Sequence, residues 1–241
     1  MSGSSKIEWT EVTWNPITGC TPFSAGCKHC YAARFAKRLK AMGNPRYQNG
    51  FSVTVHEDLF EAPLSWSGSK MVFVNSMSDL FHESISEDTI LRLFDVMNRA
   101  ENHTFQVLTK RSKRLAELSS KIIWTSNIWM GVSVEDKESM YRVDDLKKAT
   151  PMTRFVSAEP LLEDISEIDL DGIDWLIVGG ESGPGCRPIE EEWVVNLKNK
   201  AYDSGVAFFF KQWGGVNKKK NGSLLQGKEY KEYPVNRKTV M

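Results

Sequence analysis

Three cysteines stand within eleven positions near the start of the chain, at Cys20, Cys27 and Cys30, and the 241 residues contain one other, Cys186. Disulfides consume thiols in pairs, and a closed tetrahedral zinc site takes four ligands. Thiolates select zinc, copper(I) or iron–sulfur clusters, and a cubane cluster held by three cysteines keeps one iron open. The number and crowding of these thiols therefore predict a [4Fe–4S] cluster that can bind a further ligand.

A zinc site is the alternative for these thiols. The three cysteines together with either His29 or Cys186 would supply four ligands and close the site. We expect Cys186 to lie outside the site, because the local triad already accounts for a cluster. Gly19 and Gly26 are expected to let the backbone pass close to the cluster. A helix beginning near Tyr31 would place its positive end toward a negatively charged centre.

The composition limits the class of protein. Lys and Arg together number 31, as do Asp and Glu, so the net charge is zero and gives no global attraction to nucleic acid. Two local basic patches, at 110–114 and 217–222, either bind phosphates or are solvated charges. The N-terminal residues lack a leader-like pattern, and no apolar run approaches the roughly 20 residues of a membrane span. We expect a cytoplasmic protein without membrane contact, where cysteine clusters bind metals or act in redox chemistry.

Short apolar runs alternate with helical patterns along most of the chain. Strands are predicted at 71–76, 104–109, 128–133, 154–158, 174–180 and 206–212, and helices at 31–42, 87–100, 112–120, 137–149 and 190–204. Most of the apolar runs are continuous, as in strands buried on both faces of a parallel sheet. The order predicts an α/β fold with a parallel sheet, either open or curled into a barrel. We find no composition break and expect one domain over 1–241, with a short C-terminal extension from about 216.

Polar residues follow the apolar runs. In a parallel barrel the carboxyl ends of all strands open onto one face, so these side chains are expected to converge at one mouth. The candidates there are Ser76, Asp79, Lys110, Ser133, Glu135, Glu159, Gly180, Glu181 and Lys211. Each carboxylate could instead stabilise the first turn of a helix, and each lysine could be a paired or snorkelling surface residue.

Several motifs together resemble an uncharacterised three-cysteine-motif family of phages and bacteria, itself similar to radical S-adenosylmethionine enzymes. They include "GCKHCYAARFAKRL", "FVNSMSDLFHE", "RFVSAEPLL", "DWLIVGGESGPG" and "FFFKQWGG". The resemblance implies a partial or TIM-like parallel (β/α) barrel with the three-cysteine loop after its first strand. It also implies that S-adenosylmethionine binds the open iron of a [4Fe–4S] cluster. An electron from an external donor would then cleave this cofactor to methionine and a 5′-deoxyadenosyl radical.

The same resemblance implies roles for individual residues. Cys20, Cys27 and Cys30 correspond to cluster ligands, although six and two residues separate them where three and two are commonest. The remaining assignments to the cofactor are Ser76 and Asp79 near the methionyl amine, Ser133 and Glu135 near ribose or carboxylate, and Gly180 with Glu181 as a cradle.

The substrate is expected to approach over the segments that contain Lys110, Glu159 and Lys211, which makes these three the catalytic candidates. A nucleic acid or nucleotide is the expected substrate class, because the basic patches could bind phosphates and Trp213 could stack on a base. The alternative function is a zinc- or cluster-stabilised nucleic-acid-binding protein without cofactor cleavage.

Overall fold

The structure, a computed structural model, describes residue 5 and residues 7–235. Its strands are β1 (Val12–Trp14), β2 (Ile17–Thr18), β3 (Thr54–Val55), β4 (Met71–Val74), β5 (Thr104–Thr109), β6 (Ile128–Ser133), β7 (Thr153–Ala158), β8 (Trp175–Gly179) and β9 (Ala207–Gln212). Its α-helices are α1 (Tyr31–Ala41), α2 (Glu87–Arg99), α3 (Ser112–Leu118), α4 (Tyr141–Lys147), α5 (Glu191–Asp203) and α6 (Lys218–Asn221).

Seven strands form one parallel sheet in the order β1-β4-β5-β6-β7-β8-β9. Strands β6 and β8 are buried along their whole length, as the continuous apolar runs predict for a sheet covered on both faces. The remaining strands, β2 and β3, pair antiparallel as a small ribbon beside the sheet. The predicted α/β class is confirmed, and so is each predicted strand and helix to within a few residues at its ends.

The sheet curls into a partial barrel with β1 and β9 at its two edges. The indole of Trp9 shows the curvature, because it lies 4.6 Å from the ring of Phe73 on β4 and 6.4 Å from the ring of Phe155 on β7. One side chain contacts both strands only if the strands between them bend around it. The predicted partial (β/α) barrel is therefore confirmed.

An aromatic cluster fills the inner face of the barrel toward the amino ends of the strands. Its members are Trp9, Phe73, Trp129, Phe155, Trp175, Ile177 and Phe209. Each such side chain stabilises the fold by about 1.5–3 kcal/mol when it is fully buried. Because this end is packed with rings, the space inside the barrel lies at the carboxyl ends of the strands.

The C-terminal segment covers the β9 edge of the sheet. The amide of Phe210 donates to the carbonyl of Tyr230 at 2.8 Å, and the amide of Glu232 donates to the carbonyl of Phe208 at 3.2 Å. The ring of Tyr233 lies 5.1 Å from that of Trp175. This pairing satisfies backbone groups that an open edge would expose.

Helix α2 shows how the sequence sets the outer layer. The side chain of Ser86 accepts a hydrogen bond from the amide of Thr89 at 3.1 Å and caps the first turn. One apolar stripe at helical spacing, from Ile90 to Met97, is buried against the sheet, as its periodicity predicts. In the part of the chain that the structure describes, no helix has the length and hydropathy of a membrane span.

Candidate functional site

A cavity of about 440 Å³ opens at the carboxyl ends of the strands. It lies between the strand ends and the segment from Gly19 to Cys30, which we call the cysteine loop. Eleven of the twelve site residues expected from the sequence line this cavity: Cys20, Cys27, Cys30, Ser76, Asp79, Lys110, Ser133, Glu159, Gly180, Glu181 and Lys211. Strand ends far apart in the sequence thus contribute to one site, as a parallel barrel requires.

The three thiols of the cysteine loop are free, half-buried and on the wall of the same cavity. The amide of Phe23 lies 3.4 Å from the sulfur of Cys27, and the guanidinium of Arg111 lies 3.6 Å from the sulfur of Cys20. Burial and the nearby Asp79 raise the pKa of the Cys20 thiol to about 11, against the opposing effect of Arg111. Cys20 is therefore a protonated thiol at neutral pH, and a metal that binds it must displace the proton.

The donor set consists of three thiols at one cavity. Thiolates bind zinc, copper(I) or iron–sulfur clusters, and each thiolate of an iron–sulfur cluster binds a different iron. Helix α1 begins at Tyr31, directly after Cys30, so its positive end faces the thiols as expected. The residues present therefore fit a three-cysteine cluster.

Glu135, the twelfth expected residue, lies behind the cysteine loop and does not line the cavity. Its carboxylate is completely buried, 2.6 Å from the Nζ of Lys110 and 2.5 Å from the guanidinium of Arg142, and it accepts a hydrogen bond from the hydroxyl of Ser24 in the loop. Burial raises the pKa of Glu135, but Lys110 and Arg142 outweigh it and hold the pKa below its ordinary value of 4.5. This buried carboxylate anchors the loop to strand β6.

Gly26 is required by that anchor. A Cβ at this position would lie 2.5 Å from the carboxylate of Glu135. Gly19 has a comparable constraint, with a φ of +85° and backbone atoms of Ser52 within 2.4 Å of a hypothetical Cβ. The two glycines let the loop approach Glu135 and the backbone of Ser52. The sequence had suggested instead that they let the backbone approach a cluster.

Two arginines hold other points of the cysteine loop. Arg111 lies between Asp79, at 3.4 Å, and the side-chain hydroxyl of Thr21, at 3.0 Å. Arg187 donates to the carboxylate of Glu181 through two nitrogens, at 2.5 and 2.9 Å, and to the carbonyl of Ala25 at 3.0 Å. Burial raises the pKa of Glu181, but the hydrogen bonds from Arg187 outweigh this and lower it. Sequence reasoning placed Arg111 in a basic patch that could bind phosphates and assigned no role to Arg187.

The carboxylate of Asp79 is held by its own neighbours. One oxygen accepts hydrogen bonds from the amide of Phe81, at 3.0 Å, and the hydroxyl of Thr109, at 2.7 Å. The other accepts from the amide of Lys110, at 3.1 Å, and faces Arg111. Asp79 therefore holds the carboxyl end of β5 in place, and it also lines the cavity.

Glu159 and Lys211 form an ion pair in the cavity wall, with 2.9 Å between the Nζ of Lys211 and the carboxylate. The hydroxyl of Ser157 donates to the other carboxylate oxygen at 3.2 Å. The pair lies where the carboxyl ends of β7 and β9 meet the cavity. Two of the three expected catalytic residues are thus in direct contact.

Asn75 is a site residue that sequence reasoning missed. It is only 3% exposed, lines the cavity, and has a positive φ of 57°, a left-handed conformation that Asn adopts more readily than most residues with a Cβ. Its oxygen accepts from the amide of Ile17 at 3.3 Å, but its Nδ2 has no hydrogen-bond partner among the described residues. A buried donor without a partner at a cavity is a site for a ligand acceptor. Its position as the first polar residue after β4 could have identified Asn75 from the sequence.

Ser76 and Gly180 are positioned by close backbone contacts. The hydroxyl of Ser76 donates to the side chain of Asn15 at 3.1 Å, and its carbonyl accepts from the hydroxyl of Tyr31 at 2.5 Å. A Cβ at Gly180 would lie 2.2 Å from the carbonyl oxygen of Trp213. Ser133 lines the cavity, and its carbonyl accepts from Arg142 at 2.7 Å.

The basic patch at 110–114 is used within the fold. Lys110 and Arg111 pair with Glu135 and Asp79, and Arg114 donates to the carbonyls of His82 and Ile85. The ring of Trp213 packs 4.7 Å from that of Phe210, outside the cavity lining. The side chains of 218 and 219, in the second patch, lie outside the described residues. Three of the four cations at 110–114 are therefore already paired within the fold, and the fourth, Lys113, is exposed.

Comparisons with known proteins identify a family and a fold. Residues 4–234 match a family described as "Protein of unknown function (DUF5131)". No curated protein matches the sequence. Spore photoproduct lyase complexed with dinucleoside spore photoproduct has a similar structure, with a TM-score of 0.55 and 11% identity over 88% of this chain and 78% of that one. A variant of that lyase with bound AdoMet and dinucleoside spore photoproduct gives a TM-score of 0.51, with 11% identity over 83% and 63% of the two chains.

The Glu135 anchor predicts how stability depends on pH. Replacing Glu135 with Gln leaves Lys110 and Arg142 without their buried counter-charge and should cost about 3–5 kcal/mol at neutral pH. Because the pKa of Glu135 is lowered in the folded state, its contribution is complete above the ordinary value of 4.5 and is lost as pH falls through the folded value. The difference between wild type and Glu135→Gln should therefore shrink as pH falls below 4.5, in urea unfolding experiments.

Glu83→Gln is the matched control. Glu83 also pairs with an arginine, Arg111 at 2.9 Å, but its side chain is 63% exposed. An exposed pair contributes about 0–1 kcal/mol. Equal losses of stability in the two variants would contradict the anchoring role of Glu135.

Proposed function

Starting from the chain's membership of the DUF5131 family, we propose that this protein is an iron–sulfur enzyme that cleaves S-adenosylmethionine reductively. The observation that carries the proposal is the convergence of three thiols on one cavity at the carboxyl ends of a parallel partial barrel. A fold shared with a lyase solved with bound AdoMet supports it. The phage origin and the cytoplasmic location expected from the sequence stay predictions.

Cys20, Cys27 and Cys30 would hold a [4Fe–4S] cluster. With an electron from an external donor, such a cluster supplies the reductive cleavage of S-adenosylmethionine to methionine and a 5′-deoxyadenosyl radical. Arg111 and the amide of Phe23 approach the sulfurs of Cys20 and Cys27, where they would stabilise thiolate charge. The anchors at Thr21, Ser24 and Ala25 fix the loop that presents the three sulfurs.

The cavity is of the size of small-molecule sites, which are about 300–1,000 Å³. Asn75 would donate from its free Nδ2 to the cofactor, and Ser76 and Asp79 lie on the same segment. Ser133, Gly180 and Glu181 would contact the cofactor from neighbouring strand ends. Glu135, which the sequence placed in direct contact with the cofactor, would act through Lys110 and the loop, because its carboxylate is already surrounded.

The substrate would lie against Lys110, Glu159 and Lys211. The Glu159–Lys211 pair presents one anionic and one cationic group that can bind a polar substrate group. A nucleic acid or nucleotide is the substrate class we propose. The similar lyase is solved with a dinucleoside spore photoproduct, which is consistent with this class.

Cluster binding tests the ligand assignment. Cys27→Ala should retain much less iron and sulfide than wild type after anaerobic reconstitution, because one of three ligands is lost. Cys186→Ala is the matched control, since Cys186 is also half-buried and free but does not line the cavity. Wild-type iron content in Cys27→Ala, or equal losses in both variants, would contradict the three-cysteine assignment.

Asn75→Asp tests the cofactor pocket. Asp keeps the acceptor for the amide of Ile17 and tolerates a positive φ, but it removes the Nδ2 donor. A lost hydrogen bond to a charged group is worth about 1.5–3 kcal/mol, so calorimetry should show cofactor binding weakened about tenfold or more. Iron content should not change. Unaltered affinity, with 5′-deoxyadenosine formed at the wild-type rate, would remove Asn75 from the site.

A further inference from the structure

Positive charge is concentrated in one stretch of the chain. Residues 12–56 contain six Lys and Arg and no Asp or Glu, although the whole chain has 31 of each class. This stretch includes the cysteine loop and helix α1. The rest of the chain is therefore net acidic. A neutral protein with one basic segment can attract a polyanion to that segment.

Helix α1 has two different faces. Ala32 and Ala36 are buried toward the barrel. About 60–140° around the helix from these alanines, Tyr31, Phe35 and Met42 are 53%, 47% and 69% exposed. These three residues are spaced by four and seven positions, so they share one side of the helix. Exposed aromatic and apolar side chains arranged in this way mark a contact surface.

Lys37 and Arg38 supply charge on the solvent-exposed part of α1. Around the helix, Arg38 lies within about 60° of these side chains, and Lys37 lies about 120–160° from them. Both are exposed, and among the residues that the structure describes neither forms an ion pair. By contrast, Arg92 pairs with Glu57 at 3.2 Å and Lys121 pairs with Glu87 at 2.7 Å on the outer layer. Cations without ion-pair partners and exposed rings on one helix are the combination that binds phosphates and stacks unpaired bases.

We propose that this surface, the α1 face (Tyr31, Phe35, Lys37, Arg38 and Met42), binds single-stranded nucleic acid and leads it to the cavity. Tyr31 connects the two, because it begins the α1 face, lines the cavity and donates to the carbonyl of Ser76 at 2.5 Å. Lys37 and Arg38 contact the phosphates, and Phe35 stacks on a base. The inference rests on the proposed function for its substrate class and replaces the basic patch at 110–114 with a surface that is free to bind.

The test uses fluorescence anisotropy of a labelled single-stranded oligonucleotide with the full reconstituted chain over a salt series. Each lost phosphate contact lowers the slope of log affinity against log salt by about 0.7 for single strands. The double variant Lys37→Ala/Arg38→Ala should therefore lower the slope by about 1–2 and weaken binding about tenfold at low salt. Phe35→Ala should weaken binding about tenfold without changing the slope, because stacking releases no counterions.

The double variant Arg92→Ala/Lys121→Ala is the matched control, since it also removes one Arg and one Lys from exposed positions. It should bind like wild type. Equal effects of the two double variants would overturn the α1 face, and so would an oligonucleotide that does not bind wild-type protein.

Formation of 5′-deoxyadenosine without nucleic acid separates the two proposals. Protein that cleaves S-adenosylmethionine but does not bind the oligonucleotide overturns the α1 face and leaves the proposed function standing. Protein that binds the oligonucleotide through Lys37 and Arg38 but does not cleave the cofactor supports the α1 face and overturns the proposed function.

Discussion

The buried carboxylate of Glu135 is the interaction on which the geometry of the site depends. A charge with no solvent exposure carries a desolvation penalty of several kcal/mol, and here Lys110 and Arg142 offset it. The hydroxyl of Ser24 adds a hydrogen bond from the cysteine loop, and Gly26 leaves room for the approach. The carboxylate therefore links strand β6 to the loop that carries the thiols.

Arg111 and Arg187 extend this arrangement to the neighbouring strand ends. Arg111 joins Thr21 to Asp79, and Arg187 joins Ala25 to the Glu181 carboxylate. Loops rarely position reactive groups well without support, because each residue left mobile keeps its conformational entropy. Glu135, Arg111 and Arg187 contact the loop between Thr21 and Ala25, and these charged contacts hold the thiols at the cavity. This explains why several expected cofactor ligands already have protein partners.

The sequence was sufficient for the framework of this fold. Continuous apolar runs such as 128–133 and 174–180 indicated strands buried on both faces, and their alternation with helices indicated a parallel sheet. The polar residues after each run then had to converge, and Lys110, Glu159 and Lys211 do so. Strand β1 was not among the predicted strands, because a strand of three residues is too short to show a hydrophobic pattern.

The partners of individual polar groups could not be derived in the same way. Whether a carboxylate after a strand faces the cavity or an arginine depends on loop geometry, which has no periodicity in sequence. Glu135 and the basic patch at 110–114 illustrate this, since Lys110 pairs with Glu135 and Arg111 pairs with Asp79, in each case across more than 20 residues of the chain. Asn75 was overlooked for the same reason, because its backbone conformation and its unpaired donor exist only in three dimensions.

Electron paramagnetic resonance of the reduced protein, recorded without and with S-adenosylmethionine, tests the central claim most directly. If Cys20, Cys27 and Cys30 leave one iron open, the reduced protein gives the signal of a [4Fe–4S] cluster, and the cofactor changes that signal by binding the open iron. A loaded cluster whose signal the cofactor does not alter would contradict the account.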